Sequence, residues 1–384
     1  MDTQAQYTPF EFRGNAKEFF KIWIVNIALS VITLGIYSAW AKVRTNRYIY
    51  GNTYLNGSNF EFNANAKKIL YGRLIVISFY AIFLFATDVI YSNTLALIVL
   101  ILFLLLLPWL IRQAISFRLK SASYRNIHFK YRGKIREFYK LAFYLILFFI
   151  LALSPAIILG AFKEYMNKDF MGLLTFVFII IFWIVIIPSL YKNFKSLIIN
   201  NSYYGKARFN FNATKKDAIK LFFKMGIITF IASIVIGLIT TLLSVFLHFL
   251  VNTIQINSNN LAIKQTLFSL GAMILYLVTI GLYKGISDGY LSNFVRDNTT
   301  LEECKFLGTI KPIKLGFISV TNILATIFTL GLAYPWAKMR YLKYKASNTF
   351  FMCEDYDKFM GDGKESSSTI GEETIDFFDI DIGI

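Results

Sequence analysis

A chain of 384 residues that is 56% hydrophobic and only 16% charged, with mean hydropathy +0.53, lacks the polar surface of a soluble protein. Lys and Arg outnumber Asp and Glu by 40 to 23. In so apolar a chain that excess points to orientation in a lipid bilayer and contact with anionic lipids, and nucleic acid is not the expected partner.

The opening segment Met1–Glu18 is mixed in character, and no small-residue cleavage site follows the first apolar run, so it reads as mature sequence. Crossing a hydrocarbon core of about 30 Å takes roughly 20 apolar residues in a helix. Eight stretches qualify: 19–40, 69–91, 94–115, 138–162, 170–191, 221–250, 262–283 and 313–337. Six form three close pairs, and the first and last stand alone. Segments 42–73, 112–140, 192–224 and 284–314 carry six, nine, eight and five basic residues, whereas the links within the pairs hold only Lys163, Lys168 and Lys264. Lys- and Arg-rich loops stay in the cytoplasm, which places the long segments inside and the short links outside.

The long segments resemble one another. Phe10-Glu11-Phe12, Phe60-Glu61-Phe62, Phe129-Lys130-Tyr131, Phe209-Asn210-Phe211 and the degenerate Cys304-Lys305-Phe306 each have Gly or Ala four positions after their first residue, and Lys or Arg seven after it. The first aromatic follows a helix exit by twenty residues in Trp40 to Phe60, Trp109 to Phe129, Ser189 to Phe209 and Trp336 to Tyr356. Between exit and triplet lie turn signals such as Asn56-Gly57, flanked by alternating apolar and polar residues. Each of the five units is therefore expected to end in a small cytoplasmic β-hairpin. Single hairpins are marginal in water, so these should pack together or onto the helix ends. Equivalent units belong on one face, which conflicts with single crossings by 19–40 and 313–337. Re-entrant or broken elements at both chain ends resolve the conflict.

The two solitary elements match over their second halves. Thr33-Leu34-Gly35-Ile36-Tyr37-Ser38-Ala39-Trp40-Ala41-Lys42-Val43-Arg44 aligns with Thr329-Leu330-Gly331-Leu332-Ala333-Tyr334-Pro335-Trp336-Ala337-Lys338-Met339-Arg340, and Asn26 and Asn322 each precede their glycine by nine. Gly permits a bend, Thr satisfies a freed carbonyl, Trp sits at the water boundary, and Lys and Arg reach phosphates. The first block, with Arg47-Tyr48, Gly51-Asn52-Thr53 and Phe60-Glu61-Phe62 after it, resembles the YjgN family of bacterial inner-membrane proteins of unknown function. So does the second block with Ser347-Asn348-Thr349, and the tail ending Phe377-Phe378-Asp379-Ile380-Asp381-Ile382-Gly383-Ile384. Ala39 departs from the proline kept at Pro335. The resemblance implies a bacterial cytoplasmic membrane and supplies no activity.

Residues 357–384 hold eight Asp and Glu against Lys358 and Lys364, an acidic tail expected to be largely disordered, beside an integral membrane domain of residues 1–356. Cys304 and Cys353 are expected to be free cytosolic thiols. With only His128 and His248, no nucleophile with its base, carboxylate pair or metal set can be assembled, and no phosphate loop is present. An enzyme is not expected, nor a cofactor.

The expectation is thus an all-α polytopic membrane protein, with six full spans plus two terminal re-entrant or broken elements, or eight spans, and small cytoplasmic hairpins. Its leading reading is a transporter or channel-like protein for a small anionic solute or lipid headgroup. Asn26, Thr33, Gly35, Asn322, Thr329 and Gly331 would line the pathway between Trp40 and Trp336, with Lys42, Arg44, Lys338 and Arg340 at a positive cytoplasmic mouth. The competing reading is a membrane scaffold or lipid-binding protein that recruits a cytosolic partner through its hairpins and acidic tail.

Overall fold

Short β-prone runs joined by two-residue turns set the framework. In the computed structural model, which describes residues 7–161, 168–253 and 261–354, four hairpins form: β3 (Thr53–Leu55) with β4 (Ser58–Phe62), β5 (Ala122–Tyr124) with β6 (Ile127–Tyr131), β7 (Ser202–Tyr204) with β8 (Ala207–Phe211), and β9 (Thr299–Leu301) with β10 (Cys304–Gly308). Asn56-Gly57 and Arg125-Asn126 take positive φ at both turn positions, the geometry that matches the twist of the flanking strands.

Three further strands complete the sheet: β1 (Tyr7–Pro9), β2 (Glu11–Phe12) and β11 (Thr349–Met352). All eleven strands join in the order β1-β11-β10-β9-β8-β7-β6-β5-β4-β3-β2. The two ends of that order are successive in the chain, separated by Phe10, whose N–H donates to the carbonyl of Thr349 at 2.9 Å. The sheet is therefore a nearly closed antiparallel ring. Every junction between hairpins is pinned in the same way: the N–H of Arg13, Asn63, Arg132, Asn212 and Thr309 donates to the carbonyl of Asn52, Ser121, Asn201, Asn298 and Asn348 at 2.7–3.0 Å.

The ring corrects the all-α expectation. Helices dominate the chain, but the hairpins are parts of one sheet, and the pairs between hairpins join strands of two to five residues across about 40 to 90 residues, or about 340 between β1 and β11. Hydropathy reports long apolar runs and is blind to such pairing. The register of the last unit also changes. Leu301 pairs with Cys304 as Tyr204 pairs with Ala207, so Phe306, not Cys304, corresponds to Phe209. Cys304 lies in the row beside Cys353, and the two form a disulfide with Cα atoms 4.6 Å apart. This corrects the free-thiol expectation, because pairing of β10 with β11 brings together residues 49 apart in sequence. Phe351 fills the ring where Tyr356 was expected to act. Tyr356 and the acidic segment 357–384 lie outside the described residues.

From this ring the chain leaves as helical pairs and returns to it. They are α1 (Ala16–Ile32) with α2 (Ser38–Gly51); α3 (Ala66–Leu84) with α4 (Asn93–Ser121); α5 (Ile135–Ala161) with α6 (Lys168–Ile181) and α7 (Ile187–Ile199); α8 (Lys215–Thr253) with α9 (Leu261–Asp297); and α10 (Pro312–Phe328) with α11 (Tyr334–Ser347). Polar residues cap the helices where they leave the sheet. Asn15 and Asn65 accept from the N–H of Lys17 and Lys67, and Thr214 and Asp217 cap each other reciprocally. Single π-helical turns at Phe85–Val89 and Phe182–Ile186 interrupt the second and third pairs.

Among the described residues, four helices are long and apolar enough to cross a membrane: Ala66–Val89, Asn93–Ser121, Gly172–Ile199 and Lys215–Phe246. Six or eight were expected. The stretches 19–40 and 313–337 are not continuous helices: each breaks after a 17-residue helix, α1 or α10, about 25 Å long at 1.5 Å per residue. Both breaks have the same cause. Leu34 and Gly35, like Leu330 and Gly331, take positive φ, and the glycine N–H bonds back to Ser30 or Thr326 at 2.7 Å, closing the helix end.

Candidate functional site

The first aromatics of the triplets point into the ring. Ring centroids run from Phe10 to Phe60 (6.0 Å), on to Tyr124 (4.7 Å), Tyr204 (6.2 Å), Phe129 (5.1 Å), Phe209 (6.3 Å), Phe306 (6.3 Å) and Phe351 (4.6 Å). Burying these rings supplies the core that short strands alone lack. The two tyrosine hydroxyls find carbonyls: Tyr124 donates to Leu55 at 2.6 Å and Tyr204 to Tyr124 at 3.0 Å. Burial holds the Tyr204 phenol well above its ordinary pKa, an effect that Tyr124 reinforces and Arg125 opposes.

Above this aromatic floor lies a cavity of about 1090 Å³, walled by α1, α2 and α11 and by the sheet-proximal ends of α3, α4 and α9. Its lining carries six cations: Lys42, Arg73, Arg118, Arg296, Lys338 and Lys345. No carboxylate is among its described lining residues. Lys345 pairs with Asp288 on α9 at 3.1 Å, and Tyr341, also in the wall, donates to the same carboxylate. Arg73 donates to the hydroxyl of Ser38. These six cationic side chains thus border one partly apolar space.

Asn26 is the polar group of the α1 wall. Only 5% exposed, it donates from Nδ2 to the carbonyl of Ala41 (3.3 Å) and to the hydroxyl of Thr45 (3.4 Å). Its Oδ1 is buried with no hydrogen-bond partner among the described residues. The counterpart in the other terminal hairpin is satisfied at both ends: Asn322 donates to Ala337 at 3.0 Å and accepts from Arg340 at 3.2 Å. The two hairpins meet where Trp23 stacks on Tyr334 at 5.9 Å.

Of the residues singled out from sequence, Asn26, Lys42 and Lys338 line this cavity together. Thr33 and Thr329 instead cap their hairpin turns, each donating four residues back and accepting from a backbone N–H four residues on, and Gly35 and Gly331 make those turns. Trp40 packs against the cluster of Ala39, Ile69 and Phe117, and Arg44 is exposed. Trp336 lies under the Arg340 guanidinium at 5.2 Å, and Arg340 also donates to Thr321. Sequence reasoning missed Arg73, Arg118, Arg296 and Lys345. A signal existed for two of them, since Arg118 and Lys345 stand four residues before the first residue of β5 and β11. His128 is exposed on β6, and the side chain of His248 lies outside the described residues.

A strand ring from which helices depart, four of them among the described residues long and apolar enough to cross a membrane, is the architecture of a membrane protein. The family model described as a bacterial protein of unknown function (DUF898) matches residues 7–377, and the chain belongs to that family. It is similar to the inner membrane protein YjgN of Escherichia coli O157:H7, at 24% identity over 358 residues, covering 89% of this chain and 88% of that one. YjgN of Salmonella typhimurium LT2 is 24% identical over 352 residues, covering 88% and 87%, and that of Escherichia coli K12 is 24% identical over 358 residues. No solved structure matches the chain.

Proposed function

We propose that this protein is an inner-membrane carrier of an anionic ligand, either a small solute or a lipid headgroup. The observation that carries the reading is the convergence of six cationic side chains on one partly apolar cavity. The inner-membrane location follows the names of its relatives. The excess of Lys and Arg in the segments that form the ring supports a cytoplasmic position for it. Asn26 and Lys42 of one terminal helical hairpin and Lys338 and Tyr341 of the other line the same cavity, so a small rocking of one hairpin against the other changes access to it. No enzymatic step is part of the reading.

The scaffold alternative has less to use. Apart from the two- and three-residue segments at the ends of the strand order, each described strand is paired on both sides, leaving little edge for a partner to extend.

Liposomes holding the purified chain test the carrier reading with two probes, release of trapped inorganic phosphate and transbilayer exposure of a fluorescent phosphatidylglycerol. One of the two should exceed protein-free liposomes, and Lys42→Gln with Lys338→Gln should reduce it. Neither rate rising above background contradicts carriage.

A further inference from the structure

We infer that the two terminal helical hairpins, α1 with α2 and α10 with α11, seat their tips among the acyl chains of one leaflet, the one nearer the ring, and turn back there without crossing. The inference is independent of any ligand in the cavity. Reach is its first ground. All the helical pairs start from one ring, so helix length sets how far each extends. On α4 the charged stretch next to the ring begins at Arg112, nine residues before Ser121, and the nineteen residues Asn93–Ile111 ahead of it carry no charge. They span about 28 Å, close to a whole hydrocarbon core.

The charged stretch has the same length in the terminal hairpins, where Lys42 stands nine residues before Gly51 at the end of α2 and Lys338 nine before Ser347 at the end of α11. Beyond it lie only four residues of each short helix and the turn. That is about 6 Å along α2 or α11, or about 11 Å measured along the longer α1 or α10, within the roughly 15 Å of a single leaflet.

The surface of the tips is the second ground. Leu34 is 94% exposed and Leu330 95%, flanked by exposed Ile32 and Ile36 on one tip and Phe328 and Leu332 on the other. Trp40 and Trp336 come next along the chain and the basic residues after them, the order in which a helix leaves an acyl layer through the headgroups.

The backbone is the third. Every backbone N–H from Thr33 to Ser38 is bonded within its own hairpin, and so is every one from Thr329 to Tyr334. The hydroxyls of Thr33 and Thr329 complete the two sets, accepting from the N–H of Tyr37 and Ala333 at 2.9 Å. In an exposed loop water would satisfy such amides, whereas hydrocarbon cannot. Turns that need no water, beneath an apolar surface, are fitted to lipid.

The test places single nitroxide labels on the full chain in vesicles of phosphatidylethanolamine and phosphatidylglycerol. The native Cys304–Cys353 pair stays, since a disulfide takes no thiol label, and the parent chain is the blank. Leu34→Cys and Leu330→Cys carry the label at the tips, where both side chains are exposed, and Leu102→Cys on α4 and Arg44→Cys on α2 mark the acyl layer and the water side. Collisions with oxygen, which concentrates in the acyl layer, are compared with collisions with a water-soluble nickel chelate. The oxygen-to-nickel ratio at both tips should exceed that of Arg44→Cys several-fold and approach that of Leu102→Cys. Ratios at the tips equal to that of Arg44→Cys put them in water and overturn the inference. Depth at only one tip overturns it too, because the inference covers both hairpins. Crossing is read with a membrane-impermeant maleimide on intact bacteria and on inside-out vesicles. Neither tip should react from the side opposite Arg44→Cys, and reaction of either one there means that its hairpin crosses and the inference is wrong.

Discussion

Asn26 reaches across its hairpin to the carbonyl oxygen of Ala41, at 3.3 Å, and Asn322 makes the same bond to Ala337 at 3.0 Å. The pairs are equivalent in sequence and differ in completion. Asn322 also accepts from Arg340, while Oδ1 of Asn26 has no partner among the described residues and Asn26 borders the cavity. Asn322→Ala should therefore lower stability by about 1–3 kcal/mol, since it strands a buried carbonyl and part of a guanidinium. Asn26→Ala removes an oxygen that no described residue satisfies, so its cost should be smaller and its effect should fall on ligand binding. Thermal unfolding of both variants in detergent checks the order, and a larger loss for Asn26→Ala would count against it.

Gly285 on α9 allows α10 to approach closely: a Cβ there would sit 2.5 Å from the carbonyl oxygen of Leu315 and 2.6 Å from Cα of Gly316. Both are backbone atoms and cannot swing away. Gly285→Val should cost at least 2 to 3 kcal/mol, on the order of other overpacked sites, and Gly226→Val, where no atom lies within 4 Å, should be close to neutral. Folding yield and unfolding temperature measure the contrast.

The Cys304–Cys353 bond ties β10 to the strand that closes the ring. Closing a loop of this length in the unfolded chain is worth about 2–4 kcal/mol. Air-oxidised protein should thus unfold at a higher temperature than Cys353→Ser, and dithiothreitol should remove the difference. An equal gap in both conditions would assign the effect to packing of the buried sulfurs.

Tyr131 and Tyr204 are held above their ordinary pKa of 10.0, in both cases first by burial. The folded chain therefore keeps these protons to higher pH than the unfolded chain does. Their contribution to stability is complete below about pH 10 and is lost as pH rises through the folded-state values, because the unfolded phenols ionise first. The unfolding temperature should fall more steeply above about pH 10 in the parent than in Tyr131→Phe with Tyr204→Phe. Parallel slopes would show that the phenols do not set this dependence.

Much of the helical layout was legible because apolar runs and turn residues act locally. The three close pairs and the Asn56-Gly57 turn are such features, and the Leu34-Gly35 and Leu330-Gly331 breaks lie within the two matched blocks. The ring was not legible. Phe60 pairs with Tyr124 and Phe351 with Phe306 through strands too short to carry a periodic signal, and their partners lie 64 and 45 residues away. The cavity shared that fate. Lys42 and Lys338 were found through the matched blocks, but Arg73, Arg118 and Arg296 come from two other helical pairs, α3 with α4 and α8 with α9, and only ring closure brings them to the same space.

Native mass spectrometry of the protein extracted gently from bacterial membranes tests the cationic cavity most directly. The parent chain should retain a phosphate-bearing anion, seen as a discrete added mass, and Arg73→Gln with Arg118→Gln should lose it while remaining folded. Bare protein in both cases, or the same adduct on both, would contradict a ligand site built on these cations.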